Sequence, residues 1–232
     1  LFLVKTIYIG GGTPSVIESK YIVQILEDVK ANFELDENAE ITIEVNPGTV
    51  TLEKLEDYNK AGINRLSIGL QSTHEHLLKE IGRIHTYLDF LDTFRFAREA
   101  GFKNINVDLM IGLPTQTLTE VQDSIEEIVS MEPEHISVYS LILEEGTPLF
   151  KRVEEGLELP DEELERKMYW TVKQTLEVNE YNHYEISNFA KQGYESKHNL
   201  DCWNQKEYIG FGIAAHSYTN GIRYSNIENL EQ

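Results

Sequence analysis

Short runs of β-branched and apolar residues alternate along the chain with longer runs whose apolar residues recur three and four apart. Residues 4–9 (Val-Lys-Thr-Ile-Tyr-Ile) predict a strand that ends in three glycines. Ile22, Ile25, Leu26, Val29 and Phe33 then fall at helical spacing. Residues 41–45 predict a second strand, closed by Asn46-Pro47-Gly48. Thr51 is placed to cap a short helix carrying Leu52, Leu55 and Tyr58, which Gly62 ends. A third strand is predicted over 65–70. Helical pieces follow around Leu77, Leu78 and Ile81 and over 88–100, stopped by Gly82 and Gly101. The fourth strand, 105–111, ends at Gly112-Leu113-Pro114. Thr117 and Glu120 have capping-box spacing ahead of a helix through Val121, Ile125, Ile128 and Val129. A fifth strand is predicted over 136–141, and the acid-rich segment 157–165 leads into a helix through Met168, Val172 and Leu176. The rhythm then breaks. Residues 184–186 predict one more short strand in a tail rich in Asn, Tyr and Gly. This alternation predicts a parallel α/β sheet with helices outside, open or curled into a barrel. The domain boundary is expected near residue 180, dividing 1–180 from 181–232.

Successive strand residues face opposite sides of a sheet. Ile41, Ile43 and Val45 therefore oppose Thr42, Glu44 and Asn46. Leu66, Ile68 and Leu70 oppose Arg65, Ser67 and Gln71, and Ile105, Val107, Leu109 and Ile111 oppose Asn106 and Asp108. An ordinary parallel sheet is apolar on both faces. Here one face is polar, which predicts a polar ligand cavity in place of a filled aliphatic barrel centre. Buried carboxylates need partners. Glu44 and Asp108 either pair with arginines such as Arg65 and Arg83, as core ion pairs do, or face a ligand near the C-terminal strand tips, where parallel α/β folds bind ligands.

The chain has 232 residues, with 40 Asp and Glu against 20 Lys and Arg, a formal charge of −20. Such a balance argues against nucleic acid and anionic membranes as partners. No run of about 18 apolar residues is present to predict an integral membrane segment. A single cysteine, Cys202, permits no intrachain disulfide and suits a reducing, cytoplasmic setting. The N-terminus has neither a basic leader nor a starting Met, so the sequence is expected to be a piece of a longer one.

The glycine run Gly10-Gly11-Gly12-Thr13-Pro14-Ser15 is either a tight βα turn or a backbone cradle for a carboxylate or phosphate. It has neither Rossmann nor P-loop spacing. Near the C-terminus, Lys197-His198-Asn199-Leu200-Asp201-Cys202-Trp203 and Gly210-Phe211-Gly212-Ile213-Ala214-Ala215-His216-Ser217 each carry a histidine. His198 and His216 suit a metal or heme iron, or are hydrogen-bonded structural residues. His85, His135 and His183 are read as structural, and the tryptophans and most tyrosines as core or cavity lining. No His-x-His pair or nucleophile triad supports a barrel hydrolase.

Taken together, these segments resemble the radical S-adenosylmethionine superfamily, in the branch of oxygen-independent coproporphyrinogen III oxidases. The resemblance rests on Tyr8-Ile9-Gly10-Gly11-Gly12-Thr13-Pro14-Ser15, Glu44-Val45-Asn46-Pro47, Asn64-Arg65-Leu66-Ser67-Ile68-Gly69-Leu70-Gln71, Ile81-Gly82-Arg83-Ile84-His85 and Val107 through Pro114. It implies a partial (β/α)6-type radical SAM barrel of parallel strands, with the first strand and the cluster loop outside this sequence. It also implies S-adenosylmethionine contacts at Gly11, Gly12, Thr13, Glu44, Gln71, Arg83 and Asp108, with a backbone contact at Ile142. The family's 4Fe–4S cluster, held by a C-x-x-x-C-x-x-C motif, has no ligand cysteines in this chain. A C-terminal extension of the family is expected beyond Gln232. The two histidine motifs are similar to those of the heme chaperone members, with Cys202 where tyrosine is usual. That similarity implies heme binding near His198 and His216 and delivery to heme-accepting respiratory proteins. The alternative it leaves open is an oxidoreductase that decarboxylates coproporphyrinogen III in porphyrin biosynthesis.

Overall fold

The computed structural model describes residues 3–229; residues 1–2 and 230–232, the ends of the sequence, lie outside the described residues. The chain separates into two compact units, residues 1–195 and 196–232.

In the first unit a curled sheet carries the order β1-β2-β3-β4-β5-β7-β6. Strands β1 (Leu3–Ile9), β2 (Glu34–Val45), β3 (Arg65–Gln71), β4 (Ile105–Ile111) and β5 (His135–Ser140) are parallel to their neighbours. The far edge is different. Strand β7 (Asn188–Ala190) runs antiparallel to β5 and pairs with the two-residue β6 (Asn182–His183). The strand expected over 184–186 is instead the connection between these two. Its acidic and exposed residues bury too little to hold a ladder of their own. Both edge strands therefore belong to unit 1–195, beyond residue 180, where the β/α rhythm breaks.

Helices α1 (Ser19–Asn32), α2 (Leu52–Lys60), α3 (Glu75–Glu80), α4 (Tyr87–Glu99), α5 (Leu118–Ser130), α6 (Pro148–Glu154) and α7 (Glu162–Val178) connect the strands. Their starts follow the sequence signals. Thr51 accepts from the Lys54 N–H, and Thr117 and Glu120 close a reciprocal capping box. Helix α6 has no buried residue, so it carries no apolar stripe by which sequence could announce it.

One core lies between the sheet and these helices. Ile43, Leu66, Ile68, Val107 and Ile136 meet Ile22 and Leu26 of α1, Leu55 of α2, Phe90 of α4, Ile125 of α5 and Val172 of α7. Each such side chain contributes roughly 2 kcal/mol on leaving water. The apolar residues of every central strand point to this layer, so the alternate residues must point to the opposite, concave face. Trp170 and Trp203 are 50% and 62% exposed, against the expectation that they line a core or cavity.

The second unit holds α8 (Lys197–Trp203) and a hairpin of β8 (His216–Thr219) with β9 (Ile222–Ser225). Neither was legible in the periodicity, because both are short and largely exposed. Among the described residues no helix is long and apolar enough to cross a membrane.

Replacing Thr117 by Ala removes the acceptor of the Glu120 N–H in the first turn of α5, and with it the hydroxyl that donates to Glu120 Oε2. We expect a loss of about 1 kcal/mol in urea unfolding, with little change for Thr117→Ser.

Candidate ligand-binding site

The concave face of unit 1–195 is lined, strand by strand, by Tyr8, Thr42 and Glu44, Arg65 and Ser67, Asn106 and Asp108, and His135, Ser137 and Tyr139. The adjacent-strand register pairs Tyr8 with Thr42, Thr42 with Arg65, Ser67 with Asn106 and Asp108 with Ser137. Strand register therefore gathers residues distant in sequence into one polar layer.

Glu44 is half-buried and accepts from the Tyr8 hydroxyl at 2.8 Å and from the Gly11 N–H at 3.1 Å. The glycine run thus folds its backbone onto this carboxylate. A Cβ at Gly10 would stand 2.8 Å from Tyr8 Cε1 and 2.9 Å from Glu44 Oε1, so the approach needs glycine there. Gly11 and Gly12 adopt positive φ, 85° and 58°, with open space where a Cβ would be. Beyond them Thr13 Oγ1 accepts from Asn46 Nδ2 at 2.8 Å, and Ser15 Oγ accepts from the Asn46 N–H at 3.1 Å. These bonds tie the glycine loop to the turn after β2.

Asp108 is held from its own strand and the next. Asn106 Nδ2 donates to Asp108 Oδ1 at 2.6 Å and to Ser67 Oγ at 2.7 Å, and Ser67 Oγ lies 3.3 Å from Asp108 Oδ2. Removal from water pushes the Asp108 pKa up, Asn106, Arg65 and Ser137 oppose that rise, and Glu44 adds to it. Both acids thus act on one hollow. Burial first, and then Glu44 and Asp108, push the Tyr8 phenol up as well. Arg83 is half-buried and takes part in none of the ion pairs among the described residues. Burial lowers its pKa, and the charge of Asp108 works against that. The arginine ion pairs considered for the two acids are therefore not what holds them; hydroxyls, an amide and a backbone N–H do.

Gln71 ends β3 at φ 75°, an uncommon left-handed conformation for a non-glycine residue, beside a register shift between Gly69 and Gln71. Its Nε2 lies over Gly69, where a Cβ would stand 3.0 Å away. Ile142 follows β5 and is 79% exposed.

His135 belongs to the same layer. Its Nδ1 lies 2.5 Å from Asn106 Oδ1 and its Nε2 lies 2.7 Å from the Tyr184 hydroxyl. An amide oxygen only accepts, so Nδ1 carries the proton and Nε2 accepts from Tyr184. Burial holds the imidazole well below its ordinary pKa, which keeps it neutral. Ser137 Oγ adds contacts of 3.0 Å to Asn106 Oδ1 and 2.6 Å to Asn188 Oδ1. The sequence reading of His135 as a structural histidine agrees with these bonds, whereas Ser137, Tyr139 and Asn188 were not singled out as residues of this layer. The alternation of β5, His135-Ser137-Tyr139 against Ile136-Val138, was the available signal.

In unit 196–232, His198 lies on α8 with its Nε2 3.8 Å from Cys202 Sγ, one turn on. His216 opens β8 and is exposed. The glycine motif before it is locked locally. The Gly210 N–H donates to Ser217 Oγ at 2.9 Å, and Asn226 Nδ2 donates to the carbonyls of Gly210 at 3.2 Å and Gly212 at 2.8 Å. A Cβ at residue 210 would overlap the His216 carbonyl.

A one-sided, mostly parallel sheet with a glycine-loop carboxylate and a second interior acid defines a ligand-binding half-barrel. The sequence model described as "Radical SAM superfamily" matches residues 1–128, more than half of the chain, and the chain belongs to that superfamily. It is 43% identical over 225 residues to the heme chaperone HemW of Bacillus subtilis, covering 96% of this chain and 59% of that protein. It is 41% identical over 224 residues to the heme chaperone HemW of Lactococcus lactis, with the same coverage of 96% and 59%. The chain thus spans about three fifths of the length of these relatives. Among solved structures it resembles the coproporphyrinogen III oxidase HemN of Escherichia coli, a radical SAM enzyme, with a TM-score of 0.83. That match covers 99% of this chain and 56% of that one at 23% identity, a likeness of fold.

Two outcomes are expected. The Asp108 pKa in the folded chain lies above its ordinary value of 3.8. The folded state therefore holds a proton that the unfolded state has released, and stability falls as pH rises through the folded-state pKa. Asp108→Asn should raise the urea midpoint at pH 7.5 and lose that advantage toward pH 3.5. Gly210→Ala should disrupt the turn before His216. Faster amide hydrogen exchange at Tyr208 and Tyr218, which pair across their backbones at 2.9 Å, would report it.

Proposed function

We propose that this chain binds S-adenosylmethionine in the hollow of unit 1–195 and binds heme through unit 196–232, and that it serves in heme delivery to respiratory acceptors in the cytoplasm. The observation that carries the first half is the placement of Glu44 and Asp108 on one concave face, together with a half-buried guanidinium, Arg83, that forms no ion pair among the described residues. Such a donor set suits a ligand bearing hydroxyl and amino donors together with a carboxylate. S-adenosylmethionine supplies those groups and a sulfonium. Its methionine end would lie by Gly11, Gly12 and Thr13, with Arg83 on its carboxylate. Glu44, Gln71 and Asp108 would take hydroxyl and amino groups, and the backbone of Ile142 would complete the site. The positive φ and open space at Gly11 and Gly12 support this assignment.

The superfamily implies a 4Fe–4S cluster, and this sequence holds no set of cysteines that could ligate one. The only cysteine is Cys202, and among the described residues no group of three metal-ligating side chains comes together.

For heme, the support is the likeness to HemW proteins at 43% and 41% identity across the segment that carries both histidine motifs. That likeness favours trafficking over porphyrinogen decarboxylation, since the resemblance to coproporphyrinogen III oxidase is one of fold at 23% identity. His198 would act as an iron ligand through a neutral imidazole, and His216 would contribute nearby.

Adding hemin to the chain should give a saturable, shifted Soret band, and His198→Ala should weaken binding by about tenfold, or about 1.4 kcal/mol. A band that stays at the position of free hemin at every chain concentration would reject the heme role.

A further inference from the structure

Asp108 stands at the end of a continuous line of hydrogen bonds that begins at the far edge of the sheet. Tyr184 lies in the connection between β6 and β7, and its hydroxyl is 2.7 Å from His135 Nε2. On the other side of that ring, His135 Nδ1 is 2.5 Å from Asn106 Oδ1. On the other side of that amide, Asn106 Nδ2 is 2.6 Å from Asp108 Oδ1. His135 and Asn106 are register partners on β5 and β4, so strand pairing itself sets the middle link. They are 0% and 1% exposed, so bulk water does not compete for it. The direction of the line follows from the amide. Its nitrogen only donates, and it reaches Ser67 Oγ at 2.7 Å as well as Asp108. Its oxygen only accepts, and Ser137 Oγ donates to it at 3.0 Å. His135 must therefore donate from Nδ1 and accept at Nε2, and Tyr184 must donate. Burial keeps the imidazole neutral, as a ring with one donor requires. Every donor in the line thus points toward Asp108, and hydrogen bonds in series polarise one another.

We propose that His135 and Tyr184 are positioning residues for the hollow: by fixing the Asn106 amide they set the angle at which the Asp108 carboxyl meets a ligand, while touching no ligand themselves. The proposal rests on the S-adenosylmethionine reading for the identity of the ligand, though not for the hold of this line on Asp108. Asn106 is the hinge of the argument. Without the His135 donor, the amide oxygen keeps only the hydroxyl of Ser137, which is also 2.6 Å from Asn188 Oδ1. A half-turn of the amide would then set its oxygen against Asp108 Oδ1 and replace an attraction by a repulsion. The other side-chain contact, Ser67 Oγ to Asp108 Oδ2 at 3.3 Å, is too long to hold the carboxyl by itself. Tyr184 adds the outermost link. It packs edge-on against His135, with ring centroids 5.6 Å apart, so its ring and its hydroxyl act on the imidazole separately.

Two readouts on the chain test this. The first needs no ligand. The side-chain amide protons of Asn106 are followed by NMR and assigned by their loss in Asn106→Asp. Tyr184→Phe keeps the ring contact with His135 and removes only the hydroxyl. It should move the Asn106 amide signal upfield, although Tyr184 does not touch Asn106. In the second, S-adenosylmethionine affinity is measured by calorimetry. His135→Leu, close to histidine in volume but without polar atoms, should bind about tenfold more weakly. His135→Asn places an amide donor where Nδ1 stood, and should return to within about threefold of wild type. A packing role predicts the reverse order, because asparagine leaves a cavity that leucine fills. Circular dichroism verifies folding, and Tyr184→Phe, altered at a partly exposed residue, carries the test if His135→Leu does not fold. An Asn106 signal unmoved in Tyr184→Phe, or His135→Asn binding no better than His135→Leu, overturns the proposal. Wild type that fails to bind S-adenosylmethionine overturns the ligand reading instead, while the NMR comparison still decides whether the line acts on Asn106.

Discussion

Two carboxylates turned toward the same hollow, on the side of the sheet away from the helices, are the feature around which unit 1–195 is organised. Each has lost part of its water, and a carboxylate out of water needs donors or it takes up a proton. The chain meets that need with modest groups: a phenol and a glycine N–H for Glu44, an amide and a hydroxyl for Asp108. Neither acid is neutralised by a direct arginine pair. The hollow therefore keeps unspent acceptor capacity, which a densely ion-paired interior would lack, and that capacity suits it to a ligand rich in donors.

Asn106 is the junction of this arrangement. Its amide nitrogen donates to Asp108 and Ser67, while its oxygen accepts from the His135 Nδ1–H and from the Ser137 hydroxyl. Because an amide has fixed donor and acceptor ends, this one residue also fixes the His135 tautomer and, through it, the orientation of the Tyr184 hydroxyl. The acid on β4 is thereby linked to the connection between the two antiparallel edge strands.

The two units answer different needs. Unit 1–195 places its candidate groups on strand ends and in the loops just beyond them, held by a core that fixes strand positions. Unit 196–232 is small and holds its histidines by local means: a helix one turn long between His198 and Cys202, and a glycine turn bolted by Ser217 and Asn226 before His216. Membership in the radical SAM superfamily accounts for the first unit. The heme proposal rests on the second, where the likeness to HemW proteins extends beyond the matched family segment.

Periodicity alone placed five parallel strands and the helices between them, because one apolar stripe per helix and one apolar face per strand leave a period that sequence displays. The same alternation exposed Glu44, Arg65, Gln71 and Asp108 as residues of one polar face. What it could not display is anything short or exposed: α6, α8, the β8–β9 hairpin and the antiparallel edge bury too few side chains to leave a period. Nor could it assign partners. Whether an acid meets an arginine, a phenol or an amide depends on strand register, on the curl of the sheet and on how far each side chain reaches across it. Those are distances between residues dozens of positions apart, and only the folded chain sets them.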